Sequence, residues 1–170
     1  MESKFMNRAI ELAKIAAYMH DIGNIVNRAG HARSGAIMAF EILTKLGMDT
    51  KEIADIVSAI GNHDESSAYP VSVISSALII ADKTDVRRTR VRKEMLEFDI
   101  HNRVNYAAIK SRVIIDKEQK TLKLNLTIDT TICSIMEYFE IFLDRMLLCR
   151  KAADRLGLSF KLTINGQQLI

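Results

Sequence analysis

The 170-residue chain is 48% hydrophobic and 26% charged, a composition typical of a folded domain rather than a disordered chain. No apolar run approaches the roughly 20 residues that span a bilayer, and the first residues lack the apolar core of a secretory signal, so we expect a cytoplasmic protein without a membrane partner. Its net charge of +3 does not indicate a broadly basic, nucleic-acid-coating surface. Cys133 and Cys149 lie too far apart along one predicted helix to form a disulfide, so we interpret them as buried thiols.

Helical periodicity begins the chain over residues 4–19, with apolar residues spaced three or four apart: Phe5, Ala9, Leu12, Ala16 and Met19. Gly23 is the predicted stop, which places His20 and Asp21 in the last turn. An imidazole and a carboxylate form the mixed ligand set that suits zinc, iron or manganese. A His-Asp dipeptide alone is more often a surface or hydrogen-bonded pair, so the metal hypothesis depends on the rest of the chain.

Two further histidines lie at predicted helix ends. His31 begins a second helix that ends at Gly47, and His63 follows a third helix that ends at Gly61. Asp49 and Glu52 predict a capping box at the start of the third helix. His31 alone could equally cap its helix or face solvent. Asp64 either orients a ligand or accepts a proton, or is a solvated loop carboxylate. The predicted apolar faces are Ala36, Ile37, Phe40, Leu43 and Leu46, then Ile53, Ile56, Val57 and Ile60.

A fourth helix reaches a charged segment at Asp82. Its predicted buried stripe is Ile74, Ala77, Leu78 and Ala81, with Asp82 and Asp85 on a shared polar face. Six basic residues then lie close together: Lys83, Arg87, Arg88, Arg90, Arg92 and Lys93. A charge cluster confined to one segment suggests an anionic ligand, so Lys83, Arg87 and Arg88 are predicted to bind substrate phosphate. The alternatives are an Asp82–arginine pair, or nucleic-acid binding, which the absence of interleaved aromatic residues disfavours.

Beyond residue 101 the periodicity changes to that of strands. Residues 104–116 are rich in β-branched side chains, and Leu122, Leu124, Leu126 and Ile128 alternate with polar residues. A long helix is predicted over residues 131–156, followed by a last strand around Phe160, Leu162 and Ile164. The expected apolar stripe of that helix is Ile132, Ile135, Met136, Phe139, Phe142, Leu143, Met146 and Leu147. We therefore predict a mainly α protein, with a helical domain over 1–100 and a small β-β-α-β appendage over 101–170 packed on it.

The candidate ligands occur in several short motifs: His20-Asp21, His31 with Gly35-Ala36, His63, and Asp82 within Ile79–Lys83. Their combination resembles the HD-domain metal-dependent phosphohydrolase superfamily over about residues 4–92. The His31 segment and Ala81-Asp82-Lys83 also resemble HD-type bacterial hydrolases of symmetric dinucleoside tetraphosphates. The resemblance implies that His20, Asp21, His31, His63 and Asp82 hold one or two divalent ions, drawn from Mn, Fe, Co, Ni, Zn and Mg. Asp21 would bridge the two ions.

The resemblance also predicts a function. We expect hydrolysis of a phosphate ester or anhydride, either a nucleotide or another small phosphorylated compound, with Asp21 and Asp64 in catalytic roles. The family's first ligand is a histidine on a preceding helix, and residues 1–19 contain none, so either the chain begins late or a ligand is lost. The alternative is a non-catalytic module that senses a nucleotide or binds a partner. The sequence leaves the oligomeric state open, a homo-oligomer included.

Overall fold

The computed structural model describes residues 2–65, 68–91 and 100–170, and its contacts divide the chain into two units, Met1–Asp82 and Lys83–Ile170. Helices α1 (Glu2–Met19), α2 (His31–Lys45), α3 (Thr50–Gly61) and α4 (Val73–Lys83) build the first unit, α4 ending at the boundary. The second contains α5 (Ile100–Ala107), β1 (Ala108–Asp116), β2 (Thr121–Ile128), α6 (Ile135–Arg155), β3 (Ser159–Ile164) and β4 (Gln167–Gln168). The predicted fold class, mainly α with a C-terminal α+β part, is confirmed.

The first unit is held together by α3, which packs against both α1 and α2. Apolar residues three and four apart on each helix form the core: Leu12, Ala16, Met19, Ala36, Ala39, Leu43, Ile53, Ile56, Ala59, Ile60, Ile74 and Leu78. Asp49 caps α3, because its carboxylate accepts hydrogen bonds from the Lys51 and Glu52 amides at 3.0 and 3.3 Å. The Glu52 carboxylate instead accepts a 2.6 Å hydrogen bond from Arg8 Nε on α1, which ties α1 to α3.

Two expectations for α4 were wrong. Ala81 is exposed, whereas Ser75 and Ser76 are buried beside Ile74, because their hydroxyls find backbone partners and so tolerate burial. Asp82 and Asp85 do not share a helical face, since the helix ends at Lys83.

The second unit is a four-stranded sheet in the order β1-β2-β3-β4, with β2 antiparallel to β1 and parallel to β3. Helix α6 makes the crossover between the two parallel strands and packs against β3. As predicted, Leu122, Leu124, Leu126 and Ile128 are all buried, as are Phe160, Leu162 and Ile164 on β3. Ser134 and Glu137 form a capping box at the start of α6.

Three boundaries or faces in this unit differ from the sequence prediction. Residues 104–107 belong to α5 rather than to the first strand, and α6 begins at Ile135 because Ser134 caps it there. Met136 and Leu143 are 69% and 48% exposed, because α6 turns its Tyr138, Cys149 and Ala152 face inward instead. Hydrophobicity alone could not choose between these two neighbouring stripes.

The contacts of the chain divide after Asp82, and the segment after α4 is bonded within the second unit: Ser111 Oγ donates to the Thr84 carbonyl, and Arg88 Nε donates to the Tyr106 carbonyl. The domain bounds 1–100 and 101–170 stay a prediction. Arg92, Lys93 and the side chain of Phe5 lie outside the described residues.

Candidate metal centre

Helix ends in the first unit present three histidines and two aspartates. His20 and Asp21 follow the end of α1 and precede a one-turn 3-10 helix, Ile22–Ile25, so they lie just beyond the helix rather than in its last turn. His31 is the first residue of α2, His63 follows α3, and Asp82 is the penultimate residue of α4. Each side chain is therefore anchored on or beside a packed helix, which limits its positional freedom.

A glycine contact brings the His20-Asp21 turn onto α2. A Cβ added to Gly23 would lie 2.1 Å from the His31 carbonyl oxygen and 2.5 Å from the Gly35 amide nitrogen. Gly35 is similarly close, since its own Cβ would lie 3.2 Å from the Gly23 nitrogen and 3.3 Å from the His20 oxygen. Only two residues without side chains allow this approach, which places Asp21 beside His31.

The five side chains converge. Asp21 Oδ1 lies 3.3 Å from His31 Nε2 and 3.9 Å from His63 Nε2, while Asp21 Oδ2 lies 3.5 Å from His20 Nε2. His20 Nε2 is also 3.6 Å from Asp82 Oδ1. The His63 ring is central, with its centroid 5.0 Å from those of both His20 and His31. The donors therefore form two overlapping groups, His20–His63–Asp82 and Asp21–His31–His63.

All three imidazoles share one hydrogen-bonding pattern. Nδ1 of His20, His31 and His63 lies 2.7, 3.0 and 2.6 Å from the carbonyl oxygen three residues earlier in the chain. A carbonyl oxygen only accepts hydrogen bonds, so each Nδ1 carries a hydrogen and donates it. In the neutral ring Nε2 is then the acceptor, and every Nε2 faces the cluster. A backbone partner on the second ring nitrogen is the usual support of a metal-binding histidine.

This donor set fits a divalent cation. Nε2 of His31 and Nε2 of His63 are 3.2 Å apart, and in the neutral tautomers both are acceptors that cannot bond each other. Two imidazole nitrogens on one tetrahedral ion, each about 2.0–2.1 Å from it, would be separated by about 3.3 Å. His31 and His63 are only 2% and 1% exposed. A divalent cation between the rings would be held by both nitrogens.

Asp82 affects the charge state of His20. Its carboxylate raises the pKa of His20 above the ordinary histidine value, an effect that burial partly offsets and the Ala17 carbonyl and Asp21 reinforce.

The remaining predicted site residues are placed less directly. Asp64 is half-buried beside His63, and its catalytic role stays a prediction. Lys83 is buried, Arg87 pairs with Asp85 at 2.5 Å, and Arg88 donates to the Tyr106 carbonyl at 2.7 Å and to Asp129 at 3.2 Å. Phosphate binding by these three cations also stays a prediction. The two hydrogen bonds of Arg88 join it to residues of its own unit, so this side chain also has a structural role.

Sequence reasoning missed two residues beside the cluster. Arg28 Nη1 lies 3.9 Å from Asp21 Oδ1 and donates to Asn24 Oδ1 at 3.4 Å, while its side chain is 73% exposed. Asn24 Nδ2 donates to the Asp21 carbonyl at 3.0 Å. The only sequence signal was a polar connection between the first two helices, which did not distinguish these residues from an ordinary loop.

The first unit is a helical domain in which residues at helix ends bring together three histidines and two aspartates, as in helical domains that bind metal ions. A family model described as HD domain matches residues 2–157, so the chain belongs to the HD domain family, which is of the metal-dependent phosphohydrolase type. The family resemblance inferred from the motifs is thus confirmed, and the match extends well beyond residue 92 into the second unit.

Among curated proteins, the chain is similar to "Uncharacterized protein MJ1020" of Methanocaldococcus jannaschii, with 27% identity over 127 residues. The aligned region is 69% of this chain and 48% of the relative, so the chain spans about half the length of that protein. No solved structure matches the chain. Within the described ranges, no helix combines the length and apolarity required to cross a bilayer.

Proposed function

We propose that this chain hydrolyses a phosphate ester or anhydride, with a nucleotide or another small phosphorylated compound as substrate. His20, Asp21, His31, His63 and Asp82 would hold one or two divalent ions. The observation that supports the proposal most is the common hydrogen-bonding pattern of the three imidazoles, each donating from Nδ1 to a backbone carbonyl and directing Nε2 toward the Asp21 and Asp82 carboxylates. An ion bound there supplies a water nucleophile at neutral pH and neutralises charge on phosphate oxygens.

Asp21 has the central role because its two oxygens face different histidines. Oδ1 faces His31 and His63, whereas Oδ2 faces His20. One imidazole nitrogen can ligate only one ion. His63 would therefore complete one ion position, with His31 and Oδ1 of Asp21, and the other position would depend on His20, Asp82 and Oδ2 of Asp21. The two positions therefore differ in donor type, two nitrogens and one oxygen against one nitrogen and two oxygens, and we expect them to differ in affinity.

Arg28 is positioned to bind substrate phosphate. Its exposed guanidinium lies beside Asp21 and can donate two parallel hydrogen bonds to a phosphate oxygen pair. Lys83, Arg87 and Arg88 remain predicted to bind further phosphate, and an Arg87→Ala, Arg88→Ala double variant with an unchanged KM would count against that role.

The test is hydrolysis of p-nitrophenyl phosphate by the purified chain, supplied in turn with Mn, Fe, Co, Ni, Zn and Mg. We expect turnover that disappears in His63→Ala and Asp21→Asn but persists in His101→Ala, a matched change at the fourth histidine, which lies on α5 outside both donor groups. Arg28→Ala should raise KM more than it lowers kcat. Metal binding without turnover on any phosphate compound would instead support the alternative, a non-catalytic nucleotide-sensing or partner-binding module.

A further inference from the structure

A large groove is lined by α1 and its following turn, by the C-terminal part of α2, and by the α2–α3 connection. Its volume is about 1190 Å³, and Asp21 of the candidate metal centre, which also contacts His31, lines it. Ligand sites in proteins typically enclose about 300–1,000 Å³, so the groove is large enough for a bulky organic group. Its apolar lining includes Ile15, Tyr18, Met19, Ile22, Ile42 and Leu46.

Several of these apolar side chains are exposed at the groove. Tyr18 is 92% exposed and Leu46 is 75% exposed, although both lie on packed helices or their caps. An apolar surface held open beside a site with charged donors is the usual composition of a ligand pocket, in which apolar walls bury the ligand and a few polar groups orient it.

The charges along the groove do not suit a polyphosphate. Among the described lining residues the cations are Arg8 and Lys14. Arg8 already pairs with Glu11 at 2.6 Å and with Glu52 at 2.5 Å, and Asp49 is occupied as the cap of α3. A ligand with several phosphates would need a cluster of cations without partners, which these lining residues do not provide.

We infer that the substrate is a phosphate ester of a large apolar group, with its phosphate at the His20-Asp21 end and its apolar group lying in the groove. The inference rests on the proposed function and narrows its substrate class. Burying each further methylene of the apolar group should strengthen binding by about three- to fourfold, until the groove is filled.

The test uses binding and turnover together. Isothermal titration of the metal-loaded chain with ethyl-, butyl-, hexyl- and octylphosphonate, which are not hydrolysed, should show affinity rising by roughly 80- to 250-fold from butyl to octyl. Leu46→Gln should weaken octylphosphonate binding about tenfold without changing ethylphosphonate binding. The matched control is Ile37→Gln, since Ile37 lies on α2, the helix that Leu46 caps, and is 64% exposed but is not among the groove's lining residues.

The outcomes separate the inference from the proposed function. Equal affinity for all four phosphonates, together with hydrolysis of short alkyl phosphates, would overturn the inference and leave the hydrolase proposal standing. Chain-length-dependent binding without hydrolysis of the corresponding esters would retain the groove as an alkyl-phosphate site and overturn the hydrolase. If sedimentation shows a dimer that Leu46→Gln dissociates, and chain length has no effect, a second copy of the chain fills the groove and the inference is wrong.

Discussion

Replacing Gly23 with alanine should disrupt the metal centre without replacing any proposed ligand. The new Cβ would lie 2.1 Å from the His31 carbonyl oxygen and 2.5 Å from the Gly35 nitrogen, against an ordinary C···O contact of about 3.3 Å. Both obstructing atoms are backbone atoms of α2, so no side-chain rotation relieves the overlap. The His20–Gly23 segment must therefore move by roughly 1 Å relative to His31.

The size of that movement sets the expected effect. Metal–ligand distances tolerate changes of only about 0.2 Å, and a misplacement of about 1 Å costs on the order of 100-fold in catalytic rate. We expect Gly23→Ala to lower metal affinity at least tenfold and kcat/KM about 100-fold. Overpacking should also lower the free energy of unfolding by about 1–3 kcal/mol.

Metal titration by calorimetry and urea denaturation of the metal-free chain measure the two effects separately. The matched control is Gly61→Ala, because a Cβ at Gly61 meets only the Ala36 Cβ at an ordinary 3.6 Å. Its metal affinity and activity should equal those of the wild type. Normal metal affinity in Gly23→Ala would refute the argument that this glycine contact positions Asp21 beside His31.

The remaining predictions concern the ions and the second unit. The wild type should bind one ion tightly and a second more weakly. His31→Ala and His63→Ala should weaken the same ion, because their Nε2 atoms lie 3.2 Å apart, and each should do so by more than about 100-fold because supporting contacts alone contribute roughly 10- to 100-fold; loss of different ions in the two variants by metal analysis would contradict that pairing. Arg88→Ala should lower the free energy of unfolding in urea by about 1–2 kcal/mol, since it removes hydrogen bonds to the Tyr106 carbonyl and Asp129. Arg87→Ala should change the free energy of unfolding by less than about 0.5 kcal/mol, because its ion pair with Asp85 is exposed. Equal effects of the two variants would show that the Arg88 contacts contribute nothing. Ser134→Ala should cost about 1 kcal/mol through loss of the α6 cap. Hydrogen bonds from the Ser134 backbone and Arg103 lower the pKa of Glu137 in the folded chain. The ionised Glu137 therefore stabilises the fold fully above the ordinary glutamate pKa near 4.5, and this stabilisation is lost as the pH falls through the lower native pKa. Glu137→Gln should flatten that part of the dependence of unfolding free energy on pH, and an unchanged dependence would refute the linkage.

The sequence by itself determined the elements and the residue types of the candidate centre. Apolar spacing of three and four located α1 to α3, and strict alternation located β2, because each pattern reports the geometry of one element. His20-Asp21, His31, His63 and Asp82 were identifiable because ligand types recurred at helix ends, a local property of the chain.

Only the tertiary structure decided how those residues meet. The orientation of each imidazole depends on a nearby carbonyl, but the 3.2 Å approach of His31 to His63 depends on how α2 packs against α3. The role of Gly23 likewise required knowing that the His31 carbonyl lies against it, since the sequence showed only a helix stop. The groove beside Asp21 and the exposed face of α6 follow the same rule: periodicity shows that a helix has an apolar face, whereas contacts between distant residues decide whether that face is covered.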